Sequence, residues 1–246
     1  MSIFYELWHS VPPITRTILL LNITLSLLVS LDLCTPYKLY FNYYLIKNKG
    51  QVWRAVTSLF YVGELSPHTI FDFVLFYYNS SKLEQHDFRN KPADLIMFYF
   101  FSCCSFLVLA TYLGLQFLSP CLSATVLYVW TRRNPNVEVN LMEIFTFRAQ
   151  FLPWFFMLLV VVFGFDAQDD LVGALVGHIY YYFADVVPKI PETKEMHLLK
   201  APHFLTRLCE WLRIHEFGQF DDPDFLDPAG IAGQAGWFFA EDGEDD

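Results

Sequence analysis

The strongest constraint on the fold is a series of apolar segments, several of them long enough to cross a membrane. A helix needs roughly 17–25 mostly apolar residues to cross the hydrocarbon core of a bilayer. Six apolar segments follow one another along the chain: 14–33, 67–78, 93–115, 117–130, 149–165 and 171–187. The second and fourth are the shortest, and a short span either thins the bilayer around it or lies within a bundle. We therefore predict an all-α membrane protein with six transmembrane helices.

The composition agrees with this class of protein. The chain is 54% apolar and 17% charged, whereas a soluble domain is about 45–50% apolar and about 25% charged. These values exclude a disordered chain and a small disulfide scaffold. Five cysteines, an odd number without a Cys-x-x-Cys pair, fit neither a disulfide framework nor a zinc site. We expect no bound metal, no cofactor and no nucleic-acid partner.

The basic residues indicate how the chain is oriented. Cytosolic loops of membrane proteins carry an excess of Lys and Arg. If the N-terminus is cytosolic, 12 of the 16 Lys and Arg lie on the cytosolic side and the other four lie in one loop. We therefore expect both termini in the cytosol.

The long loop at 35–60 combines aromatic and basic side chains, Trp53 and Arg54 among them. Aromatic rings favour the level of the lipid headgroups, and long basic side chains reach back to the phosphates. The pattern predicts a loop that is partly embedded in the membrane interface. An ordinary interfacial anchor with no further task explains the same composition.

Two segments follow the last apolar one. Residues 201–212 have the spacing of an amphipathic helix, which we expect to lie on the cytosolic membrane surface. Its apolar residues are Phe204, Leu205, Leu208, Trp211 and Leu212. Residues 215–246 contain 10 Asp and Glu and no Lys or Arg, which accounts for the net charge of −10. This acidic tail with spaced aromatics fits either a docking motif or a solubilising tail.

Polar side chains at membrane depth are functional candidates, although most Ser and Thr there are better explained as interhelical hydrogen-bond partners. Gly173 and Gly177 form a GxxxG pair in the sixth segment, which predicts close helix packing. His178 follows Gly177 and is a candidate base. A lone histidine in a helical bundle is more often a hydrogen-bonded structural residue.

Eight short motifs resemble those of the Derlins and occur in the same order over about residues 10–212. They are Pro12-Pro13-Ile14-Thr15-Arg16, Gln51-Val52-Trp53-Arg54, Ser81-Lys82-Leu83-Glu84, Lys91-Pro92-Ala93-Asp94, Tyr128-Val129-Trp130, Phe151-Leu152-Pro153-Trp154, Gly173-Ala-Leu-Val-Gly177-His178 and Ala201-Pro202-His203-Phe204-Leu205. The resemblance implies a rhomboid-like six-helix bundle with a long interfacial first loop, in the endoplasmic reticulum membrane. The apolar segments and the composition divide the chain into a cytosolic segment 1–13, a transmembrane domain 14–188, a membrane-surface segment 189–214 and a flexible tail 215–246.

The resemblance also frames the question of catalysis. Rhomboid proteases pair a serine in a Gly-x-Ser-Gly sequence on the fourth span with a histidine on the sixth. Here the serine position is Ser119, where Phe117 and Pro120 replace the glycines, and the histidine position is Asp170. A serine without an adjacent base is a poor nucleophile, and Pro120 lacks a backbone N–H that an oxyanion hole needs. We predict that the protein is not a protease.

The resemblance implies a non-catalytic role in endoplasmic-reticulum-associated degradation, in which misfolded lumenal or membrane proteins return to the cytosol for ubiquitination. Short spans and an embedded loop would thin the bilayer and lower the cost of moving polar polypeptide through it. A rhomboid-type intramembrane serine protease and a small channel or transporter are the alternatives.

The partners that the resemblance implies are membrane lipids, misfolded clients, a membrane RING ubiquitin ligase complex and a cytosolic AAA ATPase. Members of the family often recruit the ATPase through a short tail motif that contains Gly and Phe. The nearest stretch here includes Gly233, Gly236, Trp237 and Phe238, without the family's basic residue and spacing. We therefore treat docking of the ATPase by this tail as an open question.

Overall fold

The computed structural model describes residues 11–89, 91–141, 145–164, 166–190, 199 and 201–211. Six helices in this part of the chain run between two ends of a bundle. We call the end where the first helix begins the near end, and the opposite one the far end. The six helices are α1 Pro13–Ser30, α4 Pro67–Lys82, α5 Pro92–Leu113, α6 Ser119–Arg133, α7 Leu152–Val162 and α8 Gln168–Tyr181.

Smaller elements connect and extend these helices. Between α1 and α4 lie α2 Tyr43–Lys49 and α3 Trp53–Phe60. A hairpin of β1 Glu138–Leu141 and β2 Phe145–Arg148 precedes α7, and α9 His203–Trp211 follows α8. A π-helical turn extends α4 to Asp87, and π and 3-10 turns extend α8 to Lys189.

Proline and glycine mark the ends of several helices. Proline occupies the first turn of α1, α4, α5, α6 and α7, where its missing N–H has no helical partner to lose. Ser66 caps α4 by accepting a hydrogen bond from the Thr69 N–H at 3.2 Å. Gly114 ends α5 with φ +71°, a left-handed conformation that glycine adopts without strain.

Three helices are long and apolar enough to cross a membrane: Pro13–Ser30, Pro92–Leu113 and Gln168–Lys189. A further apolar helix, Ala149–Val162, is shorter. These helices confirm the prediction of a helical membrane protein. The count of six crossings stays a prediction, because α4 and α6 have 16 and 15 residues.

The core of the bundle is built around α6. Ten of its 15 residues are buried, and α6 and α8 form the most extensive helix pair in the described chain. Phe98 of α5 meets Tyr180 of α8 edge to face, with ring centroids 4.7 Å apart. The short fourth segment is therefore enclosed by protein and needs no adjustment of the lipid.

The short helix α7 is partly or fully exposed beyond its first two residues. Its buried residues are Leu152 and Pro153 at the near end, whereas Leu158, Val161 and Val162 are exposed. Sequence alone predicted a fifth segment over 149–165, and the helix ends three residues earlier, at Val162. The helix is therefore shorter than the predicted segment.

Helix α9 is described in part. Among its described side chains Cys209 is buried, while Phe204 is 70% and Trp211 78% exposed. The Ala201 N–H donates a 3.0 Å hydrogen bond to Asp94 Oδ1 at the start of α5. The side chains of Leu208 and Leu212 lie outside the described part. The single apolar stripe on the membrane surface therefore stays a prediction.

Candidate functional site

Arg54 joins α3 to the beginning of the long loop. Its NH1 group donates to the carbonyl oxygens of Tyr37 and Tyr40 at 2.9 and 3.2 Å, and its Nε donates to Gln51 Oε1 at 2.7 Å. The guanidinium also lies 4.9 Å from the centroid of the Tyr40 ring. Arg54 is only 7% exposed, whereas the neighbouring Trp53 is 54% exposed. Arg54 therefore holds the loop together, and Trp53 points outwards.

The loop is fastened to the far end of the bundle by backbone hydrogen bonds. The Leu118 N–H donates to the Ser58 carbonyl, and the Phe41 N–H donates to the Gln116 carbonyl, each at 2.8 Å. Thr57 Oγ1 donates to the Leu39 carbonyl at 3.0 Å. These bonds join both halves of the loop to the segment that precedes α6. The backbone that carries the outward-facing aromatic side chains is therefore held in place.

Several aromatic and basic side chains of the loop face outwards with Trp53. The exposed residues are Tyr37, Lys38, Tyr43, Tyr44, Lys47 and Lys49. Asn42 caps α2 by accepting from the Leu45 N–H at 3.1 Å, and Gly50 ends this helix with φ +64°. The loop is folded into two short helices that present one mixed aromatic and basic surface.

Gly173 and Gly177 lie where α8 crosses closest to α6. A Cβ on Gly173 would lie 2.7 Å from Ala124 Cβ and even closer to the Cys121 carbonyl oxygen. A Cβ on Gly177 would lie 3.2 Å from Tyr128 Cβ. The Thr125 hydroxyl donates to the Gly173 carbonyl at 2.7 Å. The two backbones can approach this closely only because neither glycine carries a side chain.

Two serines of α5 form hydrogen bonds within their own helix. Ser102 and Ser105 donate to the carbonyls of Phe98 and Phe101, one turn earlier in their own helix. The Thr125 hydroxyl of α6, by contrast, donates to a carbonyl of another helix, that of Gly173 in α8. A hydroxyl group within a predicted span therefore does not always form a hydrogen bond between two helices.

Ser119 begins α6 at the far end, and Asp170 lies in the first turn of α8 at the same end. Asp170 is close enough to Asp72 and Asp169 to interact with both electrostatically. His178 Nδ1 instead forms a 2.9 Å hydrogen bond with the Tyr128 hydroxyl, further along both helices. His178 is therefore a partner of Tyr128, and the surroundings of Asp170 are acidic because Asp72 and Asp169 lie near it.

A buried polar network at the near end was not predicted from the sequence. Glu84 accepts from the backbone N–H groups of Ile14 and Thr15 at 3.0 and 2.7 Å. The Thr15 hydroxyl also donates to Glu84, so it accepts from Ser80, which in turn accepts from Tyr99. Burial raises the pKa of Glu84 against the effect of these hydrogen bonds. Glu84 stands in the Ser81–Glu84 motif, but only the fold reveals its partner 69 residues away.

A second near-end group ties α4, α6 and α8 together. Arg133 forms a two-point ion pair with Asp185, with N–O distances of 3.0 and 3.2 Å, and lies 4.3 Å from the Phe88 ring centroid. Asn134 Nδ2 donates to Asp87 at 3.2 Å. Burial raises the pKa of Asp87, and nearby Arg133 and the Asn134 hydrogen bond oppose that rise.

The remaining predicted sites and ligands are described only in part. The tail residues Gly233, Gly236, Trp237 and Phe238 lie outside the described residues, as does the whole tail domain. Among the described residues, no cluster of three or more His, Cys, Asp or Glu has the arrangement of a metal site.

Comparison with known proteins identifies the family. Residues 11–203 match the Der1-like family. The probable derlin-2 homolog of Dictyostelium discoideum is 32% identical over 214 residues, covering 84% of this chain and 83% of that protein. Derlin-1.2 of Zea mays is 34% identical over 221 residues, covering 87% and 88%, and Derlin-2.2 of Arabidopsis thaliana is 32% identical over 214 residues, covering 82% and 86%. The resemblance predicted from eight motifs is confirmed, and the chain is a membrane protein that belongs to the Der1-like family.

Proposed function

We propose that this protein is a non-catalytic component of endoplasmic-reticulum-associated degradation that helps misfolded lumenal or membrane proteins return to the cytosol. Membership of the Der1-like family over residues 11–203 carries this proposal. The protein would lie in the endoplasmic reticulum membrane with both termini in the cytosol. In that orientation the near end faces the cytosol and the far end faces the lumen, as the distribution of basic residues favours.

Local thinning of the bilayer is the proposed mechanism, and the exposed surface of α7 supports it. The apolar helix Ala149–Val162 has 14 residues, so it is about 21 Å long at 1.5 Å per residue. The hydrocarbon core of a bilayer is roughly 30 Å thick. A bilayer accommodates a span that is shorter than its hydrocarbon core by becoming thinner around it, at a modest cost in free energy. A thinner bilayer shortens the path over which polar backbone is unpaired.

The long loop supplies the second part of the mechanism. Trp53 faces outwards beside Arg54, whose bonds to the Tyr37 and Tyr40 carbonyls fix the position of the loop. An exposed indole favours the membrane interface, so Trp53 would set the depth at which the lumenal side of the bundle meets the lipid. Misfolded clients would meet the membrane at this disturbed edge.

A non-proteolytic role agrees with the spacing along the two parallel helices. Ser119 and Tyr128 are nine residues apart on α6, which corresponds to about 13 Å along the helix. His178 is hydrogen bonded to Tyr128, so it lies about this far along the bundle from Ser119. General-base catalysis needs the base within hydrogen-bond reach of the nucleophile. Pro120 also supplies no N–H to stabilise an oxyanion.

The proposed protein partners are misfolded clients, a membrane RING ubiquitin ligase complex and a cytosolic AAA ATPase. The acidic tail is the candidate docking segment for the ATPase. Deletion of residues 213–246 should abolish co-purification of the ATPase if Gly233, Gly236, Trp237 and Phe238 form the docking motif. Unchanged recovery would assign recruitment to another surface or to the ligase.

The proposal is tested by the half-lives of misfolded lumenal and membrane reporters in cells that lack this protein. We expect these half-lives to lengthen and to return to normal when the wild-type protein is restored. A short-lived soluble cytosolic reporter should decay normally in all these cells, because it crosses no membrane. Normal decay of every membrane and lumenal reporter in the deficient cells would contradict the proposed function.

A further inference from the structure

Tyr128, Arg132 and His178 form a polar group on the side of the bundle, which we call the Tyr128 cluster. The Tyr128 hydroxyl lies 2.9 Å from His178 Nδ1 and 3.0 Å from Arg132 Nε. The Arg132 guanidinium also lies 5.2 Å from the centroid of the Tyr128 ring. Tyr128 is buried, Arg132 is half-buried and His178 is exposed. The cluster therefore reaches from the core to the outer surface.

The hydrogen bonds of the cluster leave several donors unused among the described residues. Arg132 Nε can only donate, so the Tyr128 oxygen accepts from it. The single Tyr128 proton is then donated to His178 Nδ1, which places the proton of a neutral imidazole on Nε2. The terminal NH groups of Arg132 and the Nε2–H of His178 remain as donors. Two donors of this kind, one of them cationic, match the oxygens of a phosphate group.

The surroundings of His178 are apolar. The exposed side of α8 and the turn after it presents a stripe of large apolar side chains: Leu171, Leu175, Ile179, Tyr182 and Phe183. His178 is an exposed polar residue within this stripe. A histidine needed only to hold Tyr128 could be buried with it, and a polar group that faces hydrocarbon is costly unless it finds a partner.

The cluster lies towards the near end of the bundle, where we expect the cytosolic headgroups. Arg132 lies in the last turn of α6. His178 precedes Asp185, the near-end partner of Arg133, by seven residues, which corresponds to about 10 Å along the helix. Basic side chains between membrane helices at such a level bind lipid headgroups.

We propose that the Tyr128 cluster binds the phosphate group of a phospholipid in the leaflet at the near end of the bundle. Arg132 and His178 would hold the phosphate oxygens, and the acyl chains would lie along the apolar stripe of α8. Free phosphate would satisfy the same donors but leave the stripe uncovered, which favours a lipid as the ligand. This site is separate from the loop around Trp53, so it does not depend on the thinning mechanism.

Lipid binding by the purified full-length protein tests the proposal, with native mass spectrometry as the readout. The two probes are dioleoylphosphatidic acid and dioleoylglycerol, which share their acyl chains and differ by the phosphate. We expect the wild type to retain the phosphatidic acid in preference to the dioleoylglycerol. Arg132→Gln should weaken retention about five-fold, and His178→Leu should weaken it as well.

Two further variants separate the site from general effects of charge and folding. Lys189→Gln removes an exposed basic side chain from the near end of the same helix, and it should bind like the wild type. Tyr128→Phe keeps the buried ring but removes the hydroxyl that orients Arg132 and His178, so it should also lose affinity. A melting curve for each variant confirms that it is folded.

Three results would overturn the proposal. The first is equal retention of the two probes by the wild type. The second is wild-type retention of phosphatidic acid by folded Arg132→Gln and His178→Leu variants. The third is displacement of the lipid by millimolar inorganic phosphate, which would assign the cluster to a soluble anion. Persistence of the lipid in that phosphate buffer supports the proposal.

Discussion

Glu84 binds the first turn of α1 through Thr15: its Oε2 accepts hydrogen bonds from the Thr15 backbone N–H and from the Thr15 hydroxyl, each at 2.7 Å. The first N–H groups of a helix have no partner within the helix, and a carboxylate there also interacts favourably with the helix dipole. Glu84 thus fastens the start of α1 to the turn that ends α4.

Replacement of Glu84 by Ala should destabilise the protein by about 2–4 kcal/mol, because it leaves several buried donors without an acceptor. The free energy of unfolding in detergent micelles measures the effect. The control is His86→Ala, which changes an exposed residue two positions after Glu84. It should have little effect on the free energy of unfolding. Equal stabilities of the two variants would show that the Glu84 contacts contribute nothing to the fold.

The stability of the protein should depend on pH through Asp87. Burial raises the folded-state pKa of Asp87 above its ordinary value of 3.8. The resulting stabilisation is fully present below pH 3.8 and is lost as the pH rises through the raised pKa. Asp87→Asn keeps an acceptor for Asn134, so its stability relative to the wild type should increase over this window. Unfolding midpoints measured from below pH 3.8 to neutral pH test this.

The matched control for Asp87 is the exposed Glu64. The Glu64→Gln variant removes an exposed carboxyl group instead of the partly buried one. A constant difference between Asp87→Asn and the wild type at every pH would contradict the role of Asp87.

The two glycines of α8 should differ in their tolerance of alanine. A Cβ at Gly173 meets α6 backbone that cannot move aside, so Gly173→Ala should cost about 2–3 kcal/mol. A Cβ at Gly177 meets Tyr128 at 3.2 Å, and the better helix propensity of alanine offsets this crowding by about 1 kcal/mol. Unfolding by SDS titration gives both values. A larger loss for Gly177→Ala would contradict the packing of α6 against α8.

Trp53 and Arg54 should fail in different ways when replaced by alanine. Arg54→Ala removes the bonds to the Tyr37 and Tyr40 carbonyls and should loosen the loop, whereas Trp53→Ala removes an exposed ring and should leave the loop folded. Limited digestion with an endoproteinase that cleaves after Lys measures this at Lys47 and Lys49. We expect faster cleavage in Arg54→Ala only.

Both loop variants should slow the clearance of misfolded reporters. Trp53→Ala removes the interfacial tryptophan, and Arg54→Ala leaves it on a loosened loop. The matched control is Val56→Ala, which shortens another exposed side chain of α3. Normal clearance by well-expressed Trp53→Ala and Arg54→Ala variants would remove the loop from the mechanism.

The sequence predicted the class of fold well because the signals for membrane helices are local. Runs of apolar residues and prolines at helix starts lie within one stretch of chain, as at Pro92 in α5. The observed helix ends differ from the predicted ones by a few residues. The segment predicted at 67–78, for example, is a helix that continues to Lys82. Polar residues such as Asn79 and Ser80 continue α4 because they are buried against neighbouring helices, which hydropathy alone does not detect.

The sites depended more on contacts between distant residues. The Trp53–Arg54 pair stood out as a motif, but only the fold distinguishes the buried arginine from the exposed tryptophan. Glu84 and Thr15, and likewise Tyr128 and His178, are partners across 69 and 50 residues. No spacing rule within one helix predicts such pairs, because they follow from which helices are neighbours.

The most direct test of the account is the half-life of misfolded lumenal and membrane reporters in deficient cells that express Ser119→Ala at the wild-type level. The account predicts full rescue, because Ser119 lies about 13 Å along the bundle from His178 and Pro120 supplies no N–H to stabilise an oxyanion. Failure of an inserted and abundant Ser119→Ala variant to restore clearance would contradict it, and would make the serine part of the function.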